Sequence, residues 1–457
     1  MKTNIYLPVE VKRREIYSRI YFAYKAALKG YNVTIGRKSR FYEFKKYLTP
    51  GYFLSKSLGK KASEELIKIK NLGHKILYID EEGLMSFNKE FTHRRISTLG
   101  LDVLDVFFTW GKQHFDEMKL LFPNHEDKFR IAGNPRVDIL KEEKKNIFKD
   151  EVSYIKKKYG NFFLLATKFG KVNFLKRRNL NDQVTAQKKK GYLRSDNMTK
   201  ILSRSILHEK KNFENFLEFI KAFNSKLPEK KMIILIHPSE NREIYQKFIS
   251  NMKNIFLAEN NFSSNSWILA SELTIQNNST TSLETYILKN QSIQLNVYSD
   301  ATVEYEIPKK ISKIFYSNDD LIKFLKVFKK DEYFFDKKNI DRWLKKFIEN
   351  IDEEDSVSLI LNNLRNFNDF NFSISKLDFF LKKKFFFLKQ IKRNFINRLI
   401  KKNETIHSKL KFDGLRLNEI RKYINNLSIG SAQNEKIVIT EPLPGLFEIK
   451  VNNLLND

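Results

Sequence analysis

Short apolar runs that end in polar or glycine-bearing loops alternate with amphipathic stretches over residues 4–310, and this alternation narrows the fold more than any other feature. "NIYLPV" (4–9) reads as a strand, "RREIYSRIYFAYKAALKG" (13–30) as a helix closed by Gly30, and "YNVTIG" (31–36) as the next strand. "KASEELIKIKNLG" and "HKILYID" repeat the unit up to Asp80, and "DVFFTW" (105–110), "KQHFDEMKLLF" and "KFRIAG" (128–133) repeat it again. Parallel strands need a crossover between them, so strand–helix alternation predicts a parallel α/β sheet. Residues 141–158 are polar, either a connection between domains or a solvated helix. A second series then runs from "NFFLLAT" (161–167) through "KMIILIHP", "NIFLAE" and "SELTIQNN" to the helix "SLETYILKN", interrupted by a basic excursion at 176–196 with little periodicity.

The expected fold is therefore α/β and GT-B-like: two Rossmann-like domains facing a cleft, followed by a helical basic extension. The boundaries are 1–145 for the first Rossmann-like domain, 159–310 for the second, and 311–457 for the extension. Within the extension, "SKLDFFLKKKFFFLKQIKRNFINRLIKK" (375–402) interleaves aromatic and basic residues, as a helix lying on an anionic membrane surface would, or as a packing helix with a solvated basic face.

The net charge of +30 attracts polyanions: nucleic acid, an anionic membrane surface or a phosphorylated substrate. Part of that excess reflects a chain rich in Lys, Asn, Ile and Phe throughout. No stretch approaches the roughly 20 apolar residues of a spanning helix. The charged N-terminus argues against a secretory leader, so a cytoplasmic protein is expected, with peripheral contact to the inner membrane through 375–402. The absence of cysteine removes disulfides and thiolate metal sites. The histidines at 74, 93, 114, 125, 208, 237 and 407 show no i,i+4 pairing, and no metal or cofactor is expected.

Candidate chemistry sits at strand ends. His237 closes an apolar strand, Pro238 fixes the chain direction, and Ser239 reads as an N-cap with Glu240 in the first turn. His237 there is either a phosphate contact or a polar strand end. Asn278, Ser279, Thr280 and Thr281 make a hydroxyl- and amide-rich turn before a helix, with Glu284 as a capping-box partner, suited to capping or to a phosphate or ribose. "YIDEEGL" (78–84) gathers carboxylates at a strand end, where Glu81 and Glu82 are candidates for base or nucleophile, against the alternative of a solvated Asx-type turn. Lys12, Arg13 and Arg14 follow the first strand and meet an anionic ligand or face solvent. Arg136 in "AGNPRVD" is a carboxylate clamp or the partner of a structural Arg–Asp pair.

"LPVEVKRRE", "DEEGL", "TWG", "GNPRVD", "IHPSE" and "NNSTTSLE", in this order over about residues 5–310, resemble the bacterial surface carbohydrate biosynthesis proteins, a group similar to the Kdo transferases of capsule and lipopolysaccharide synthesis. The His-Pro pair followed by a Ser/Thr pair is similar to the CMP site of bacterial sialyltransferases and Kdo transferases. The resemblance implies that His237, Pro238 and Ser239, with Asn278, Ser279, Thr280 and Thr281, hold the nucleotide of a CMP-activated sugar. It implies a catalytic carboxylate at Glu81-Glu82, where Glu82 stands in place of the family's aspartate. "LIHP" replaces the family's Arg-Pro-His-Pro. The expected function is transfer of Kdo or a related acidic sugar from a CMP donor to a surface polysaccharide or glycolipid precursor, with Lys12, Arg13, Arg14 and Arg136 holding acidic groups. The alternatives are a polyol-phosphate transferase, a UDP-sugar epimerase, or a non-catalytic basic protein that binds membranes or nucleic acid. Nucleic acid is not the expected partner, because the strand-end carboxylates repel phosphate.

Overall fold

The computed structural model describes residues 2–84, 86, 88–174, 180–330, 337–352, 354–365, 370, 412–427 and 437–451. Two sheets organise them. The first holds β1 (Asn4–Val9), β2 (Asn32–Arg37), β3 (Gly51–Ser55), β4 (Lys75–Ile79), β5 (Val106–Thr109) and β6 (Phe129–Ile131). The second holds β7 (Phe163–Ala166), β8 (Met232–Leu235), β9 (Ile255–Leu257), β10 (Leu273–Gln276), β11 (Ser292–Leu295) and β12 (Lys313–Phe315). Within each set neighbouring strands pair in parallel, and strands such as β3 and β7 are nearly continuous buried runs because helices cover both faces. The fold is thus α/β with two Rossmann-like halves.

The strand orders locate the ligand crevices. In the first half the order β2-β1-β3-β4-β5-β6 reverses between β1 and β3, and in the second the order β12-β11-β10-β7-β8-β9 reverses between β7 and β10. Ligands of open parallel sheets bind outside the carboxyl ends of strands at such reversals.

Several elements depart from the expectations. The stretch 51–55 is a fully buried strand, and 292–295 and 313–315 extend the second sheet where no strand was expected. The basic excursion at 176–196 contains the helix Leu180–Lys189, and a single long helix, Asp196–Lys226, follows it. Beyond 311, Asn318–Val327, Lys337–Leu344, Ser356–Leu364 and Leu417–Leu427 are helices. Residues 437–451 instead form a hairpin, β13 (Ile437–Leu443) and β14 (Leu446–Val451), whose second strand pairs antiparallel with β2 through Phe447 and Ile35. Alternating apolar residues in "IVITEPLPGLFEIKV" and a Pro-Gly turn explain this choice over helix. The segment 375–402, expected as a membrane-contact helix, lies outside the described residues. Among the described residues no helix is long and apolar enough to cross a membrane.

One apolar cluster joins the halves. It runs from Ile5 and Leu7 of β1 through Phe148 and Ile155 to Leu164, Trp267 and Ile268 of the second half. The helix Lys149–Tyr159, in the polar stretch between the two series, contributes Ile155 to this cluster.

A polar knot holds the returning chain. Asn350 Oδ1 accepts from Asn134 N–H (3.0 Å), and its amide donates to Asn134 O (3.0 Å) and Asp138 Oδ1 (2.6 Å). Asp138 also accepts from the backbone N–H of Ser356 and Val357, the first residues of the helix Ser356–Leu364. Gly133 makes room for this knot: it has φ of +73°, and a β-carbon there would sit 2.1 Å from Asn350 Oδ1. Asn350→Ala strands buried polar groups on both Asn134 and Asp138, and an equilibrium urea titration is expected to show a loss of about 3 kcal/mol.

Candidate active site in the cleft between the halves

At the reversal of the second sheet, the loop after β7 carries Lys168 and the loop after β10 carries Asn277–Thr280. Lys168 Nζ donates to Asn278 O (2.8 Å) and lies 4.3 Å from the centre of the Tyr305 ring. Enclosure and the neighbouring Lys171 push its ammonium down to about 7; the ring face opposes that loss of charge. Asn278 adopts a positive φ of 51°, and its side chain is spent on Tyr305, accepting from Tyr305 N–H (2.6 Å) and donating to Tyr305 O (2.9 Å). Ser279 is buried and accepts from Thr281 N–H, whereas Thr280 is exposed to the cleft. Part of this turn therefore builds the loop, and Thr280 faces what enters it.

The end of β8 supplies a second polar group. Ser239 N–H points to His237 Nδ1 (3.3 Å) and Ser239 Oγ lies 2.7 Å from the same nitrogen. An Nδ1 that accepts from a backbone N–H leaves the ring proton on Nε2, so exposed His237 presents an N–H donor. Desolvation in the cleft, with the cations of Arg14, Lys168 and Arg13, holds its imidazole below the ordinary range and hence neutral at pH 7. Ser239 is not the N-cap that the sequence predicts. That role belongs to Asn241, whose Oδ1 accepts from Glu243 N–H (3.1 Å), because the chain makes one more turn before the helix Arg242–Phe248 begins.

Glu240 locks that extra turn to the β7 loop. It is buried and accepts from Thr167 Oγ1 (2.9 Å), Phe169 N–H (3.0 Å) and Tyr245 OH (2.6 Å). Burial raises its carboxyl to about 7, against these lowering hydrogen bonds. Between the ordinary carboxylate value and about 7 the unfolded chain has lost a proton that the folded chain keeps, so this residue makes stability fall as pH rises across that window, by about 3 kcal/mol in total. Urea titrations at pH 5 and pH 7.5 are expected to show this slope in the wild type and its loss in Glu240→Gln.

In the first half, the loop after β3 delivers Lys56 to a buried cluster at the sheet's reversal. Glu81 Oε1 receives Arg19 Nη2 (2.7 Å) and Lys56 Nζ (3.0 Å), and Lys56 also reaches Glu15 Oε2 (3.3 Å). Burial alone would raise the Glu81 carboxyl, but Lys56, Arg19, Arg136 and Arg14 together hold it well below the usual carboxylate range. Glu82 differs: its side chain is 48 % exposed and pairs with Arg95. Desolvation opposes that pairing, and the Arg95, Arg14 and Arg94 charges keep the Glu82 carboxyl below its ordinary value. Its backbone N–H donates to Asp80 Oδ1 (2.9 Å), so the turn is Asx-type as one reading expected, with a buried rather than a solvated Asp80.

Both halves line one cavity of about 510 Å³, counting space open to solvent, bordered by Arg14, Glu81, Glu82 and Arg136 from the first half and Thr280 and Glu284 from the second. Arg136 bridges it, with Nη2 on Glu284 Oε1 (2.6 Å) and Nη1 3.8 Å from Glu81 Oε2. The Arg136–Asp138 pair does not form, because Asp138 is taken by Asn350, and Glu284 is an ion-pair partner instead of a capping-box residue. Lys12 turns away to Glu419 (2.9 Å) and Asp413 (3.2 Å), and Arg13 bonds Asn260 across the halves. Pro238 is half-buried in the turn, and Thr281 begins the helix Thr281–Ile287. Lys56, Arg19, Glu15, Lys168 and Glu284 were not singled out as site residues from sequence. Strand order is the signal that brings Lys56, Arg19 and Glu15 together, and it requires knowing that 51–55 is a strand.

No protein-family model matches the chain, and no curated protein matches it. Among solved structures, the fold is similar to UDP-GlcNAc 2-epimerase from Methanocaldococcus jannaschii, at 15 % identity and TM-score 0.47, over 80 % of this chain and 100 % of that one. It is similar to the wall teichoic acid polymerase TagF, at 11 % identity and TM-score 0.49, over 80 % and 89 % of the chains. It is also similar to a UDP-N-acetylglucosamine 2-epimerase homologue from Listeria monocytogenes, at 13 % identity and TM-score 0.49, over 80 % and 97 %.

Proposed function

We propose that the protein is a glycosyltransferase that moves Kdo or a related acidic sugar from a CMP-activated donor to a cell-surface polysaccharide or glycolipid precursor. The observation that carries this reading is the shared cavity: the carboxylates of the first half and the hydroxyl turn of the second border the same space. Of the ordered motifs that resemble CMP-sugar enzymes, those carrying Arg14, Glu81 and Glu82, Trp110, Arg136 and Thr280 border this cavity, while His237 lies at the end of β8 outside its lining.

In this reading the donor phosphate lies against the second half, where Lys168, the His237 Nε2–H and the Thr280 hydroxyl offer positive charge and donors. The sugar carboxylate exchanges into the Arg136 ion pair and meets Arg14. Ionised Glu82 works at the anomeric carbon. As a base it takes the acceptor hydroxyl's proton while that oxygen attacks; as a nucleophile it forms the bond itself, and in a second step the acceptor oxygen displaces it and gives its proton to the departing Glu82 carboxylate. In either case the bond from carbon to phosphate oxygen breaks and CMP leaves with the electron pair. Glu81, clamped by Lys56 and Arg19, is a fixed anion that aligns the surrounding cations.

The test is CMP release from CMP-Kdo by purified protein with a lipid-linked or oligosaccharide acceptor. Turnover with CMP-Kdo, and none with UDP-GlcNAc or CDP-glycerol, is the expected result. Turnover only with CDP-glycerol, or epimerisation of UDP-GlcNAc, overturns the donor assignment. Intact-mass spectrometry of quenched enzyme separates base from nucleophile, since only a nucleophile carries a sugar adduct.

A further inference from the structure

We propose that Asp80, His93 and His114 form a binding site for one zinc-class divalent ion, which locks the turn that presents Glu81 and Glu82. The three residues come from the end of β4, the residue after the short helix Lys89–Thr92, and the helix Lys112–Leu121, so their spacing along the chain gives no sign of it. In space they converge. Asp80 Oδ2 lies 3.6 Å from His114 Nε2 and 4.0 Å from His93 Nδ1, and the three candidate donor atoms all fall within 4.8 Å of one another. Donors around a tetrahedral zinc with bonds of about 2.0–2.1 Å stand roughly 3.4 Å apart, so modest closure brings three of the four donors into place and leaves the fourth position to a water. The donor types, two imidazoles and a carboxylate, suit zinc and its neighbours in the first transition row.

Two observations beyond proximity point to a ligand. First, His93 Nδ1 and His114 Nε2 are buried atoms without a hydrogen-bond partner among the described residues, and the side chains that carry them are 1 % and 2 % exposed. Such atoms are costly to leave unsatisfied. Second, the space between donors is kept open by Gly83: a β-carbon there would lie 2.6 Å from His114 Nε2 and 2.7 Å from Asp80 Oδ2.

The surroundings are those of an outer shell. His93 Nε2 meets Glu117 Oε2 at 2.9 Å, and Glu117 Oε1 accepts from Gln113 Nε2 at 3.2 Å, so the carboxylate fixes the imidazole with Nδ1 toward the gap. The two rings are stacked, 5.1 Å apart and 7° from parallel. Asp80 Oδ1 is already committed to Glu82 N–H and Tyr78 OH, which leaves Oδ2 facing the rings. Trp110 N–H donates a long bond to His114 Nδ1 (3.3 Å), which puts the ring proton on Nε2 in the metal-free form. Coordination displaces that proton and gives up the long bond. The cluster is buried beneath the cleft, so the ion acts on the turn and does not meet substrate.

The experiment uses the full chain, stripped with a chelator, dialysed against equimolar Zn2+ and desalted, with metal counted by elemental analysis. About one equivalent is expected in the wild type and in His125→Gln, which alters a histidine elsewhere, and near none in His93→Ala or His114→Asn. Co2+ substitution is expected to give the intense visible bands of a four-coordinate site. If the wild type keeps no more zinc than His93→Ala, or its Co2+ spectrum stays that of the aquo ion, the cluster is a hydrogen-bonded His–Asp group only and the proposal fails. The Co2+ spectrum of the wild type decides the matter even where a variant does not fold. Neither readout depends on the sugar donor, so the donor assignment and the metal site fail separately.

Discussion

Glu82→Gln is expected to lower the transfer rate by about 10²–10⁴-fold while CMP binding changes by no more than a few-fold. The substitution keeps size and the backbone bond from Glu82 N–H to Asp80, so the turn stays in place. What it removes is, among the described residues, the one negative charge in the cavity that is both half-exposed and free of the buried clamp. The donor loops belong to the other half of the fold. Steady-state rates and calorimetric titration with CMP check the two parts separately. Glu81→Gln is a poorer probe, because lost activity there is confounded by damage to the cluster that Lys56 and Arg19 share.

Lys56→Met carries an expected cost to stability that matches that of Asn350→Ala. Lys56 is 3 % exposed in its side chain and is shared by Glu81 and Glu15, themselves 9 % and 1 % exposed. Removing one partner of a buried ion pair leaves an uncompensated charge and typically costs 3–5 kcal/mol. Arg19 remains on Glu81, so about 3 kcal/mol is expected from denaturant midpoints. Adding Glu15→Gln removes one of the stranded charges and should recover part of the loss. A single variant within 1 kcal/mol or so of wild type would mean that the cluster is hydrated and contributes little.

The long periodic segments of both halves were legible in the sequence: β1 spans the predicted 4–9, and β7 lies within the predicted 161–167. β11 and β12 were missed although β6 and β9, equally short, were read, and β13–β14 reach the first sheet from the far end of the chain. At the site, types of residue were readable but partners were not. Lys12 looks like an anion contact until Glu419 is seen beside it, and Asn278 looks like a ligand until its amide is found on Tyr305. The "IHPSE" stretch gave His237 correctly as a strand-end polar group, but Glu240, read as a helix first-turn acid, is a buried anchor for the β7 loop. Such pairings depend on which strands are neighbours, and that is a property of topology.

The most direct test of the account is a structure of the protein with CMP bound. The account predicts the phosphate within hydrogen-bond reach of His237 Nε2, Lys168 Nζ and the Thr280 hydroxyl, with the leaving oxygen directed across the cavity toward Glu82. CMP bound away from the reversal between β7 and β10, or a cleft that takes UDP and excludes CMP, would contradict it.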